Sequence, residues 1–225
     1  LLHSGRRKIF NNLAQQCDNK QIVWFHCASL GEYEQGKPLI QKFREQYPDL
    51  TFLVTFFSPS GYEVKKNDKD IDILAYLPSD TPKNARKFIQ TVKPKAVFFV
   101  KYEYWYNFIN ELYINKIPFY YLSAIFRSKQ YFFQPYGRWF AEQLKKCTYF
   151  FVQNKLSQIL LNQIDIEQVA VTGDTRFDRV YHIAQKNTEL DFMREFKQDT
   201  KLIIAGSSWQ PDEELLNKVF ETAKN

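Results

Sequence analysis

Short apolar runs alternate with charged or amphipathic stretches along most of the chain. Residues 22–28, 51–56, 71–76, 96–100, 118–123, 148–152 and 168–172 read as strands, since each is a brief run rich in β-branched and aromatic residues bounded by polar ones. The gaps between them have helical spacing. Pro82 after Thr81 marks one helix start, and Lys93–Pro94 stops that helix before the next strand. This alternation predicts an α/β domain with a mostly parallel sheet and right-handed crossovers. No internal repeat or low-complexity segment interrupts it.

After "VTGDTRFDRV" the pattern turns polar over roughly 181–200 and then restarts with "KLIIAGSSWQPDEELLNKVFETAK". Ile203, Ile204 and Ala205 read as a strand, Gly206 and Ser207 as a turn, and Pro211 to Glu214 as an acid-rich first helical turn. One strand without neighbours leaves its backbone groups unpaired, so this restart reads as the opening β-α unit of a second, incomplete domain. The expected organisation is a basic segment at 1–20, an α/β domain at 21–180, a linker at 181–200 and the start of another α/β domain at 201–225.

Composition adds a core and a charge. Of 225 residues, 44% are hydrophobic and 17% aromatic, with 21 Phe and 14 Tyr, which suffices for a large core and leaves apolar area for a surface patch. The net charge of +6 favours an anionic partner such as nucleic acid, phospholipid, nucleotide or acidic glycan. Cys17, Cys27 and Cys147 are scattered and odd in number, which fits a reducing compartment. His3, His26 and His182 are equally dispersed, so no metal site is expected. No apolar run is long enough to span a bilayer, although "LLHSGRRKIF" is patterned like the cytoplasmic flank of a membrane anchor lying before it.

Polar clusters fall at the predicted strand ends, where an open parallel sheet gathers its ligands. Ser29, Gly31 and Glu32 follow the first strand, Ser58, Ser60 and Gly61 the second, "YLPSD" the third, Glu103 and Asn107 the fourth, and Ser123, Arg127 and Ser128 the fifth. "TGDTRFD" adds Gly173, Asp174, Arg176 and Asp178. Each has an ordinary explanation as a turn, cap or solvated charge, and Glu32 reads either as a first-turn acid or as a catalytic base. A serine hydrolase is excluded because Cys27 stands where a nucleophile elbow at Ser29 needs glycine. A Cys27–His26 dyad fails because neighbours on a strand face opposite ways. Seven glycines without a G-x-G-x-x-G or Walker pattern offer no phosphate loop.

The blocks "FHCASLGE", "TFFSPSGYE", "YLPSD", "KYEYWYN", "VTGDTRFD" and "AGSSWQPDEE" resemble, in order and spacing, the bacterial 3-deoxy-D-manno-octulosonic acid (Kdo) transferases, from about Trp24 to Glu214. The resemblance implies a GT-B fold of two Rossmann-like domains. It also implies transfer of Kdo, with inversion, from CMP-Kdo to a lipid A precursor in lipopolysaccharide biosynthesis, without a cofactor or a metal. By the same resemblance Glu32 is the proton acceptor, while Glu103 and Arg176 stabilise the transition state. Arg176 stands where the family has lysine, and Lys101 where it has an acid. Ser29, Gly31, Ser58, Ser60, Gly61, Asn107, Arg127, Gly206 and Ser207 are the candidate substrate-binding positions. The expected partners are CMP-Kdo, the lipid acceptor and the anionic cytoplasmic face of the inner membrane, with no nucleic acid, and the chain alone is expected to be inactive. Acceptor phosphate and membrane would meet the aromatic and basic stretch from Phe126 to Arg138, helped by Arg6, Arg7 and Lys8. Two alternatives remain: another GT-B nucleotide-sugar transferase or epimerase, and a non-catalytic basic module that docks on membranes.

Overall fold

The computed structural model describes residues 2–185 and 190–223, and the side chains of 9–181, 183–185 and 190–222. The order is α1 (Leu2–Cys17), β1 (Gln21–Cys27), α2 (Leu30–Gln46), β2 (Leu50–Phe56), α3 (Pro59–Lys65), β3 (Ile73–Tyr76), α4 (Pro82–Val92), β4 (Ala96–Val100) and α5 (Tyr106–Ile114). It continues with β5 (Phe119–Ala124), two 3-10 turns (Tyr131–Phe133 and Pro135–Gly137), α6 (Arg138–Leu144), β6 (Tyr149–Val152), α7 (Lys155–Asn162) and β7 (Val169–Val171). Three helices follow, α8 (Thr175–Gln185), α9 (Asp191–Lys197) and α10 (Gln210–Ala223). All seven strands predicted up to residue 172 are present. They form one parallel sheet in the order β3-β2-β1-β4-β5-β6-β7.

Side-chain alternation along β1 shows how the sheet is filled. Ile22 and Trp24 enter the core beneath α1, α4, α5 and α7, whereas Val23, Phe25 and Cys27 enter the core beneath α2 and α3. Trp24 packs against Phe88 of α4 at 4.8 Å and Phe108 of α5 at 5.8 Å between ring centroids. Tilted and edge-on aromatic pairs of this kind add about 1 kcal/mol each beyond their burial. Helix α4 forms as its punctuation predicts. Thr81 Oγ1 accepts from the Asn84 N–H at 3.3 Å, Pro82 opens the first turn, and Lys93 ends the helix in the left-handed region at φ 47°. Its buried face is Ala85, Phe88, Ile89 and Val92.

This topology has its switch point between β1 and β4. From β1 the chain goes to α2 on one face, and from β4 it goes to α5 on the other, so a crevice opens between the two strand ends.

Contacts divide the chain into two units, Leu1–Ile183 and Ala184–Asn225. In the first, α1 lies in the stretch expected as a basic flank and buries Ile9, Leu13 and Cys17 at four-residue spacing. The side chains of Arg6, Arg7 and Lys8 lie outside the described residues. Among the described residues no helix is long and apolar enough to cross a membrane. The stretch expected as a linker carries the end of α8 and all of α9. In the second unit, residues 201–205 are not a strand, contrary to expectation. Among the described residues no strand pairs with them, and Ile203 and Ile204 are 65% and 69% exposed.

Candidate active site

Glu32 stands where β1 hands over to α2. Ser29 caps the helix in an extended conformation, φ −136° and ψ 170°, and Glu32 at the third helical position turns back so that Oε2 accepts the Ser29 N–H at 3.0 Å. It is therefore the first-turn acid that its position suggested. Its chemistry is nonetheless unusual for a capping acid. Burial, followed by the charge of Glu103, pushes its carboxyl up to about 7, against the pull of the Ser29 and Ala28 N–H groups and of Lys101. Such a group exchanges a proton near neutral pH, as a general base requires.

Glu103 comes from the loop between β4 and α5. That loop leaves the sheet through Lys101 at φ 68°, a left-handed backbone held by the Lys101 N–H bond to Leu122 O at 2.9 Å. Glu103 is 8% exposed, and its carboxylate is fixed by side chains on two sides. Trp105 Nε1–H donates to Oε2 at 2.6 Å, His26 Nε2 lies 3.0 Å from the same oxygen, and the Tyr121 hydroxyl donates to the Glu103 carbonyl at 3.0 Å. His26 in turn meets Thr55 Oγ1 through Nδ1 at 2.8 Å. Glu32 and Glu103 thus reach the crevice from its two sides, one after β1 and one after β4.

The other predicted positions divide into groups. Ser58 lies beside this edge, because its N–H donates to Ala28 O at 2.8 Å, and its hydroxyl meets Ser60 Oγ at 2.9 Å at the start of α3. Gly31 is exposed on the first turn of α2. Gly61 is buried, and a Cβ there would come within 2.2 Å of the Phe56 ring, so its small size is a packing requirement. Asn107 is tied up with Asp80: its N–H donates to Asp80 Oδ1 at 3.1 Å, and its Nδ2 donates to the Asp80 carbonyl at 3.0 Å. Asp80 therefore caps α5 from the loop after β3. Arg127 is exposed in the loop after β5. Gly206 and Ser207 belong to the second unit.

Arg176 opens α8 and forks onto Asp174, with Nε 2.9 Å from Oδ2. Burial pushes the Asp174 carboxyl up, but hydrogen bonds from Arg176 and Gln35 outweigh it and bring it down to about 2. Gln35 of α2 is 1% exposed and acts as a clamp on this turn. Its Nε2 donates to Asp174 Oδ1 at 2.7 Å, and its carbonyl accepts the Thr175 hydroxyl at 2.8 Å. His26, Trp105 and Gln35 are the site residues that sequence reasoning missed. Their partners lie 77, 2 and 139 residues away, so the Trp105–Glu103 spacing was the one signal available. Among the described residues no group of His, Cys, Asp and Glu is arranged to hold a metal ion.

Residues 4–179 match the family described as "3-Deoxy-D-manno-octulosonic-acid transferase (kdotransferase)". A 3-deoxy-D-manno-octulosonic acid transferase of Haemophilus influenzae is 29% identical over 90% of this chain and 48% of its own length. One from Aquifex aeolicus is 27% identical over 91% of this chain and 51% of its own. The chain spans about half the length of these curated relatives. In fold it is similar to the UDP-GlcNAc 2-epimerase of Neisseria meningitidis, with a TM-score of 0.56 at 16% identity over 80% of this chain and 53% of that one. The sheet is thus a Rossmann-like domain of the GT-B type.

Proposed function

This chain belongs to the 3-deoxy-D-manno-octulosonic-acid transferase family, and from that premise we propose that it is the acceptor-side half of an inverting glycosyltransferase that moves Kdo from CMP-Kdo to a lipid A precursor. The observation that supports this best is the meeting of Glu32 and Glu103 at the β1/β4 switch point, with Glu32 pushed up to about 7.

In this reading Glu32 removes the proton from the attacking sugar hydroxyl. The freed oxygen bonds to the anomeric carbon as the bond from that carbon to the CMP phosphate breaks, and CMP leaves with the electron pair. The sugar passes through a cationic stage, and the buried Glu103 carboxylate supplies fixed negative charge beside it. Arg176, half-exposed on its Asp174 support, offers N–H groups to the departing phosphate or the Kdo carboxylate. Glu32→Gln in the whole protein should retain CMP-Kdo binding and lose transfer. Near-normal turnover would remove Glu32 from the role of base.

The lobe after β5 supports the membrane part of the proposal. Phe126 and Phe132 are buried, while Arg127, Lys129, Tyr136, Arg138 and Trp139 are exposed, which puts cations and amphipathic rings on one surface segment. Changing Arg127, Lys129 and Arg138 to Ser should weaken binding to anionic vesicles without altering CMP-Kdo affinity. Unchanged vesicle binding would leave the lobe as ordinary surface.

A further inference from the structure

His26 is wholly buried beside the proposed site and has no part in the reading given above. Its ring packs against Trp105 and Phe99, at 5.7 and 6.1 Å between centroids, and its two nitrogens have different partners. Nδ1 meets Thr55 of the neighbouring strand, and Nε2 meets Glu103. Thr55 is itself fixed, because Trp24 Nε1–H donates to its Oγ1 at 2.7 Å. Nδ1 lies 2.8 Å from the Thr55 hydroxyl oxygen and 3.2 Å from the Thr55 carbonyl, while Nε2 faces a carboxylate oxygen, which accepts, so Nε2 carries the proton of that contact. Trp24, Thr55, His26 and Glu103 therefore form one hydrogen-bonded line from the core to the crevice.

The Trp105 and His26 N–H groups converge on one oxygen, Oε2. Two N–H donors on one carboxylate oxygen fix its rotation. The histidine ends on the carboxylate that the reaction is proposed to use.

Resting on that reading of Glu103, we propose that His26 is a positioning residue: the proton on its Nε2, together with the Trp105 indole, holds the Glu103 carboxylate in one orientation at the crevice. The other ionisable groups in electrostatic reach of the pair are Lys101 at the end of β4, the Cys27 thiol of β1, and the Tyr104 and Tyr121 phenols. Burial keeps the thiol and both phenols protonated, and Lys101 acts on Glu32 in the direction opposite to Glu103.

The test compares His26→Leu, which removes the donor, with His26→Gln, whose amide N–H can still reach Oε2, in the whole protein with CMP-Kdo and a lipid A precursor. His26→Leu should lower kcat about tenfold or more and leave KM for CMP-Kdo unchanged, because Glu103 loses a donor that fixes its orientation. His26→Gln should restore most of kcat. Wild-type kcat in His26→Leu, or a His26→Gln variant as impaired as His26→Leu, would overturn the proposal. If His26→Leu does not fold, nitrogen-15 spectra of the wild-type imidazole decide, since a bare Nε2 at neutral pH would overturn it equally. Glu103→Gln separates the two levels. Full transfer in that variant would refute the site reading itself, whereas loss there with normal His26→Leu refutes the histidine alone.

Discussion

Glu32 and Glu103 meet at the same crevice but are held by different kinds of partner. Glu32 is tied to its own helix start through the Ser29 backbone N–H, and its neighbours are a cation, Lys101, and another acid. Glu103 is held by side chains, an indole and an imidazole, both on one oxygen and both supported by the aromatic core. Burial and the neighbouring Glu103 charge push Glu32 up to about 7 in spite of its backbone anchor. The indole and imidazole fix the rotation of Glu103. In the proposed reaction the two carboxylates would divide the labour, Glu32 exchanging a proton and Glu103 presenting its carboxylate to the cationic sugar.

The largest test of that division is the ranking of two conservative variants. Glu32→Gln should cost transfer about 10²–10⁴-fold, the range for a lost general base. Glu103→Gln keeps the shape and loses only a fixed charge, so its cost should be smaller, roughly 10²-fold. Single-turnover rates at saturating substrates would measure both. The reverse order would exchange the two roles.

A second, smaller effect concerns Lys101, which follows β4 beside the proposed site. Its positive charge lowers the Glu32 carboxyl, so Lys101→Met should shift the acid limb of the pH–rate profile upward, and Lys101→Glu should shift it further. An unmoved limb in both variants would mean that the limb does not report Glu32.

The two acids also mark where sequence is legible. Glu32 could be placed from neighbouring residues alone, because strand, cap and acid follow one another between Ile22 and Glu32. The seven strands were legible for the same reason, as was the end of α4 at Lys93 and Pro94. The partner of Glu103 was not. His26 reaches it only because β1 lies beside β4, and strand order is a property of the crossovers rather than of local pattern. Gln35 and Asp174, 139 residues apart, were hidden in the same way. Gly61 was read as part of a binding turn because nothing local shows that the Phe56 ring fills its Cβ space. The stretch 203–205 erred in the other direction. Its β-favouring residues are real, but a strand exists only with a neighbour, and local composition does not supply one.

The smallest effect separates the two acids through stability. Glu32 has a higher pKa folded, about 7, than its ordinary value of 4.5, so between those values the folded protein binds more protons than the unfolded one. Stability should therefore decline as pH rises from about 4.5 through 7 and stay level above it. Glu32→Gln retains an acceptor for the Ser29 N–H but has nothing to ionise, so its midpoint advantage over wild type should grow from pH 5 to pH 8. A partly exposed group is screened by solvent, which limits the gain to ~1 kcal/mol. Asp174 provides a control of opposite sign. Its folded carboxyl lies near 2, below the ordinary 3.8, so its contribution is complete above about pH 4 and is lost as pH falls through 2. The two windows do not overlap, and thermal melts of Glu32→Gln and Asp174→Asn across pH 2–8 can assign each slope. A wild-type curve that is flat from pH 5 to 8 and matches Glu32→Gln throughout would show that Glu32 ionises as an ordinary surface acid, and the contrast between the two carboxylates would fail at its first term.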